Sequence, residues 1–352
     1  MRPPHPARLT PLLLALSLVG CAGPQGPGRH GGEHRPAARP EPMVAVQVQS
    51  AELDGRPLRL TRSAATPALA PLVVFLPGLG QDGDAGARWV AAWAGAGYAV
   101  LSLQPRAEDA SAWRSELARQ GEFRELGRLH QGEAAQHERL VALQHLLARL
   151  RQAGVAPWNG LDWGQVVLAG YDLGAQTVLD WTPGPDGWQP RAVVAISPPP
   201  MQPATRLPAL IITSDLDADP LGLVTKPADR QRSFEALPAG QAWLLDLPGV
   251  SHAGLAGNQV SETWAAQDQH RGDSGGGGGG GGRRGQGGGM GGGIGGGGQA
   301  GGAGAAPRGP RAGSATEAAQ ADLRAALRLS VAFADRLRQG LPAPVDPLLR
   351  AR

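Results

Sequence analysis

Asp172 lies in the stretch LAGYDLGAQ, Leu168 to Gln176, flanked by Gly170 and Gly174. This is the spacing of a G-x-S-x-G turn, with aspartate where serine would stand. The apolar run QVVLAG precedes it and LGAQTVLDW follows, the strand–turn–helix context in which such a turn has chemical meaning. The glycines leave room where side chains would meet neighbouring backbone. The turn also sets residue 172 at a helix N-terminus, where the macrodipole favours negative charge. A carboxylate so placed is a nucleophile or a base for water; taken alone, Asp172 would also serve as a helix N-cap. Two further groups follow. LIITSDLDADP is a strand running into acids, and Asp217, just past the strand, is preferred over Asp215 and Asp219. LPGVSHAGL is a strand end carrying His252. In that order the acid accepts the imidazole N–H and fixes its orientation, and the His takes a proton from the nucleophile or from water. Upstream, FLPGLG ends a strand, where the backbone N–H groups of Leu79 and Leu173 would form an oxyanion hole.

The elements that must position these residues alternate. MVAVQVQS and RPLRLTRS read as paired strands, and PLVVFLPGLG as a buried parallel strand entering a turn. AGARWVAAWAGAG is a helix stopped by glycine, and YAVLSLQ another strand. Residues 106–131 read as a polar, irregular surface excursion. EAAQHERLVALQHLLARLRQAG is the strongest helix, with Leu140, Leu143, Leu147 and Leu150 at helical spacing and Gly154 at its end. Strands RAVVAIS, ALIITSD and AWLLDLP follow, with a helix through ADRQRSFEAL. Buried strands alternating with helices give an α/β class with a mostly parallel central sheet and flanking helices. His137 and His145 on the long helix are about 12 Å apart along its axis, too far to share a metal, so no metal or cofactor is expected.

Bulk composition limits the function classes. The chain has 352 residues, 54 of them Gly and 32 Pro. Setting aside the glycine tract and the N-terminal segment leaves roughly 250 residues, enough for one large domain. A net charge of +3, with Lys226 as the only lysine, gives no case for a nucleic-acid partner. Arg2 and Arg8 precede LTPLLLALSLVG, an apolar stretch shorter than the roughly 20 residues that span a bilayer. Its end, Leu18-Val19-Gly20-Cys21, resembles a bacterial lipobox. That resemblance implies a signal over 1–20 and a lipid on Cys21, the single cysteine, with Ala22 favouring the outer over the inner membrane. The domain plan is then a flexible tether over 21–42, an α/β domain over 43–271, a Gly-rich disordered insertion over 272–313, a terminal helix over 314–340 and a tail over 341–352.

Taken together, PLVVFLPGLG, WAGAGYAVLSLQ and LDWGQVVLAGYDLGA, with the late acid and His, resemble the α/β-hydrolase superfamily from about Met43 to His270, plus the terminal helix. They look most like its bacterial dienelactone-hydrolase, chlorophyllase and platelet-activating-factor-acetylhydrolase-like group. The resemblance implies an α/β-hydrolase fold, a small-molecule substrate and catalysis by residues 172, 217 and 252. Two departures stand out: Asp172 replaces Ser or Cys, and Pro77 stands where many relatives have His. Haloalkane dehalogenases, fluoroacetate dehalogenases and epoxide hydrolases do use an Asp nucleophile, and AGYDLGA looks like the fluoroacetate elbow. Such enzymes carry a helical cap after the sixth strand. Here only PPPMQPATR separates the neighbouring strands, so no cap domain is expected. Leu173 replaces the Trp that often binds halide, and Tyr98 and Tyr171 are the only tyrosines. Ester hydrolysis through Asp172 is awkward, because a carboxylate, with an ordinary pKa of about 3.9, leaves more readily than an alkoxide. The readings are therefore an exported, lipid-anchored hydrolase with an Asp-His-Asp site, an inactive hydrolase-fold envelope lipoprotein that binds a ligand or partner, or an anchoring protein whose tether and glycine tract matter most.

Overall fold

The computed structural model describes residues 45–258 and 312–352. The signal-like segment, Cys21, the tether and the glycine tract as far as residue 311 lie outside the described residues. Among the described residues, nine strands form one mixed sheet in the order β1-β2-β4-β3-β5-β6-β7-β8-β9. β1 (Val46–Leu53) and β2 (Arg56–Ser63) make a hairpin whose turn, Asp54-Gly55, takes positive φ at both residues, 52° and 72°. Asp-Gly suits that turn because both positions need left-handed backbone. β2 lies antiparallel to β4 (Ala99–Leu103). From β4 through β3 (Ala70–Leu76), β5 (Leu161–Tyr171), β6 (Ala192–Ile196), β7 (Ala209–Leu216) and β8 (Ala242–Ser251) every pairing is parallel.

β3 and β6 are apolar along their length, and the paired middles of β5 and β7 largely so, because both faces of the sheet are covered. Along β3, Leu72, Val74 and Leu76 face a core completed by Leu143, Leu147 and Leu150 of α5 (Glu133–Gln152) and Val178 of α6 (Leu173–Leu179). The alternate residues Val73 and Phe75 face a second core. It holds Trp89 and Trp93 of α1 (Ala87–Gly95) and Leu329 and Phe333 of the terminal helix, Ala312–Arg338.

Three expectations need correction. Residues 106–131 are not irregular: they form α2 (Ala107–Ser111), a 3-10 turn (Ala112–Arg114), α3 (Glu116–Gln120) and α4 (Phe123–Gln131). α2, the 3-10 turn and α3 are too short to show periodicity, and Ser115, which caps α3 by accepting from Ala118 N–H, begins a new piece within a few residues. The terminal helix begins at residue 312 rather than 314. Residues 341–352 are more than a tail, since β9 (Leu349–Ala351) pairs antiparallel with β8. A three-residue strand carries too little pattern to be read from sequence.

Candidate functional site

β5 and α6 meet at Asp172, whose φ of 51° and ψ of −111° are unusual for a residue with a side chain. Such backbone costs of order 1–3 kcal/mol and persists only where the surroundings impose it. The surroundings here are tight. A Cβ on Gly170 would lie 2.2 Å from the Gly174 carbonyl carbon, and one on Gly174 would lie 2.0 Å from the Leu76 carbonyl oxygen. Neither position can carry a side chain without moving backbone. Asp172 N–H donates to Ile196 O of β6 at 3.0 Å, and Asp172 C=O accepts from Gln176 N–H at 3.0 Å. The Asp172 side chain makes no N-cap hydrogen bond. Its Oδ2 instead accepts a long hydrogen bond, 3.4 Å, from Leu79 N–H.

The Leu79 loop is pinned on all sides. Gly78 N–H donates to Gln81 Oε1 (3.1 Å), and Gln104 Nε2 donates to Gly78 O (3.2 Å). Trp113 Nε1 donates to Leu79 O (3.1 Å), and Gly80 N–H donates to Asp109 O (2.8 Å). The excursion α2–α4 therefore fixes the loop that faces Asp172. Leu173 opens α6, so its N–H belongs to a first turn that has no intrahelical acceptor. Leu79 and Leu173 also pack with Ala112, Leu126 and Leu221 in a small apolar cluster beside the turn.

Asp217 and His252 come together as the sequence order implied. His252 Nδ1 is 2.7 Å from Asp217 Oδ1, and Asp217 is fully buried. The other acids are occupied elsewhere. Asp219 accepts the backbone N–H groups of Leu221, Leu223 and Val224, and Asp215 accepts that of Gly249. His252 opens the short helix α8 (His252–Leu255; α7 is Gln231–Ala236), capped by Ser251. Among the described residues no hydrogen bond joins Asp172 directly to His252; the two are neighbours through Tyr171. The Tyr171 ring centroid is 5.1 Å from that of His252, and its hydroxyl donates to His252 O at 2.9 Å. Burial, reinforced by the charges of Asp172 and Asp217, holds the Tyr171 phenol well above its ordinary range, so it stays a neutral donor.

Sequence reasoning missed Ser197, Arg230 and Thr213, all of which meet Asp217. Ser197, at the end of β6 with φ of 53°, sets its Oγ 2.7 Å from Asp217 Oδ1 and 2.8 Å from His252 Nδ1. Arg230, in the 3-10 turn Pro227–Arg230, is fully buried. Its Nε donates to Asp217 O at 2.8 Å and lies 3.1 Å from Asp217 Oδ1, while Nη2 is 3.2 Å from His252 Nδ1. Thr213 Oγ1 donates to Asp217 Oδ2 at 3.0 Å. Ser197 is not placed to attack a substrate, because it is fully buried and meets the inner nitrogen of His252. The one sequence signal was RAVVAIS ending in a polar residue before three prolines; Arg230, on a separate element, had none.

Asp172 is 5% exposed and His252 9%, so both groups are largely buried. A cavity of about 480 Å³ lies elsewhere, between α2, α4 and the start of α5, lined by Arg106, Arg114, Leu129, His130 and Glu138. Among the described residues no group of three or more His, Cys, Asp and Glu is arranged to hold a metal, and no helix is long and apolar enough to cross a membrane. No protein-family model matches this chain, and no curated protein matches it either.

Proposed function

We propose that this chain is an exported α/β-hydrolase-fold hydrolase, anchored through a lipid on Cys21, in which Asp172 is the nucleophile and His252, oriented by Asp217, the base. The observation that carries the reading is the backbone of Asp172: a strained, positive-φ carboxylate between two glycines that admit no side chain, at a strand-to-helix turn. An N-cap requires none of that strain. The strand order and the Asp217–His252 contact support the same reading.

The geometry suits two steps. One Asp172 oxygen attacks the carbon of an activated carbon–halogen or similar bond, whose electron pair leaves with the departing group, and an ester forms on Asp172. His252 then takes a proton from water, and the resulting hydroxide adds to the Asp172 carboxyl carbon. The oxyanion develops on Oδ2, the atom already facing Leu79 N–H. Collapse expels the alkoxide, which takes the proton from His252, and the carboxylic acid left on Asp172 gives its proton to solvent, restoring the carboxylate. The sparse exposure of Asp172 and His252 favours a second reading, in which the scaffold binds a ligand or partner without turnover.

A screen of esters, lactones and haloacids separates the two. The hydrolase reading expects turnover by wild type that Asp172→Asn and His252→Gln abolish. If wild type is inert while Asp172→Ser reacts with a fluorophosphonate probe and hydrolyses simple esters, the working-nucleophile reading is wrong and the site is a decayed serine hydrolase. Ligand binding that survives His252→Gln without turnover supports the second reading.

A further inference from the structure

Asp109 and His130 form a second acid–imidazole pair, on the α2–α4 excursion. His130 Nδ1 lies 2.7 Å from Asp109 Oδ1, and Arg139 Nε holds the other carboxylate oxygen at 2.7 Å. Burial opposes ionisation of Asp109, but the hydrogen bonds from His130 and Arg139 outweigh it and keep the carboxyl below its ordinary range. An ionised carboxylate only accepts, so the hydrogen between the pair sits on Nδ1, and in the neutral ring Nε2 is a lone pair. Asp109, Arg139 and one nitrogen of His130 complete the buried cluster. The second nitrogen is left over. Among the described residues no hydrogen bond reaches Nε2, although His130 is only 5% exposed. A buried polar atom normally has a partner.

His130 lines the cavity of about 480 Å³ between α2, α4 and the start of α5, a volume within the roughly 300–1,000 Å³ of small-molecule sites. With Nδ1 turned to Asp109, Nε2 is the nitrogen left for an occupant. The rest of the lining is apolar or already engaged. Ala112, Leu129, Ala134 and Ala135 supply apolar surface, and Leu129 is left 61% exposed. Arg106 has little to offer an anion: its Nη2 is 2.9 Å from Glu138, its Nε 3.8 Å from Glu108 and its Nη1 3.4 Å from Asp109. Arg114 is exposed, where a single charge contributes little. Ser111 Oγ donates to Glu108 O at 3.3 Å, and Ser115 Oγ accepts from Ala118 N–H. Among the described residues neither hydroxyl meets His130, so the pair does not serve a second nucleophile.

We infer that this cavity is a second binding site, for a neutral small molecule with an apolar body and a hydroxyl or N–H donor at one end, which His130 Nε2 accepts. The inference does not rest on the reading of Asp172. Ala112 lines the cavity and also packs with Leu79 and Leu173, and Asp109 O accepts from Gly80 N–H. An occupant therefore bears on the segment that holds the loop facing Asp172.

The test titrates the full chain with three probes: hexanol, its isomer methyl pentyl ether, which has the same atoms and no donor, and hexanoate, which is charged. Calorimetry gives the affinities. Nitrogen-15 spectra of the histidine side chains give the place, with the His130 signals assigned by their loss in His130→Gln. Hexanol should move the Nε2 signal of His130 and leave Nδ1 protonated. The ether should bind about 2- to 10-fold more weakly, the net worth of one hydrogen bond, and hexanoate more weakly than hexanol. Ala134→Trp fills the cavity from an exposed position of α5 and should abolish the hexanol shift, whereas Asp172→Asn should leave it unchanged. No binding of hexanol, a His130 signal that stays put at saturation, an ether or hexanoate that binds as tightly, or a shift that persists in Ala134→Trp each overturns the inference. If Ala134→Trp does not fold, the His130 signal of wild type decides alone. An enzyme inert in the substrate screen that still binds hexanol at His130 sinks only the hydrolase reading, and turnover without that binding sinks only this one.

Discussion

Asp109→Asn should cost this protein far more than a near-isosteric change normally does. Asp109 is fully buried in the excursion that holds the Leu79 loop. Its Oδ2 accepts from Arg139 Nε at 2.7 Å, and its Oδ1 lies 2.7 Å from His130 Nδ1. Arg139 is itself fully buried and also donates to His130 O and Gln136 Oε1. Removing the carboxylate charge leaves a buried guanidinium without a counter-ion, a loss of about 3–5 kcal/mol. At about 2–4 °C per kcal/mol for a domain of this size, the melting temperature should fall by about 6–20 °C. Scanning calorimetry of wild type and variant reads it directly. Adding Arg139→Met should cost less than the two single changes summed, by about 0.5–3 kcal/mol, because the orphaned cation is gone. The penalty should also depend on pH. Burial opposes ionisation of Asp109, but the hydrogen bonds from His130 and Arg139 outweigh it and hold the carboxyl below its ordinary range. A depressed folded value means that the stabilisation is complete above the unfolded pKa of about 3.9 and is lost as pH falls through the folded value. A fall of less than about 2–4 °C, corresponding to under about 1 kcal/mol, would show that the buried cluster does not hold the excursion in place.

Gly174→Ala should lower the melting temperature by at least about 4 °C and abolish any activity, because the new Cβ must displace the Leu76 carbonyl 2.0 Å away; a stable, active variant would mean the turn has slack. Both tyrosines resist ionisation, Tyr98 through burial and the Asp335 charge and Tyr171 through burial and the Asp172 and Asp217 charges. The native protein should therefore show no phenolate absorbance at 295 nm until it unfolds, and stability should fall as pH rises past about 10, where the unfolded tyrosines release protons first. A phenolate signal near that pH in folded protein would refute this. Metabolic labelling with a fatty-acid analogue should mark wild type and not Cys21→Ser, and label retained on the mutant would rule out lipidation at that cysteine.

The sequence made the sheet legible because its strands obey simple patterns. PLVVFL and AVVAI are apolar on both faces, and only a strand covered on both sides has that composition. The turn at Asp172 was readable from Gly170 and Gly174, whose necessity is steric and local. Asp217 was preferred over its neighbours by its place past a strand, and the structure sets it against His252. Arg230 was not readable, since its partners are 13, 33 and 22 residues away in Asp217, Ser197 and His252 and no periodicity links them. The excursion was misread for the opposite reason. Its polar residues looked like a solvated surface, but Asp109, His130 and Arg139 satisfy one another inside. Composition does not distinguish a solvated charge from a buried, paired one.

The terminal helix and β9 follow residues 259–311 in the chain and are held to the sheet by contacts of their own. Phe333 is buried with its ring 5.5 Å from Trp243, Trp93 Nε1 donates to Ser330 Oγ at 3.1 Å, and the Tyr98 hydroxyl donates to Asp335 Oδ1 at 2.8 Å. β9 adds ladder contacts along β8 from Trp243 to Leu245, and Gly240 N–H donates to Arg352 O. A single proteolytic cut between residues 259 and 311 would thus yield two polypeptides that co-purify as one particle and separate only in denaturant. The same two pieces, expressed as separate genes, should find each other and rebuild the sheet, making the protein a natural split-reporter scaffold.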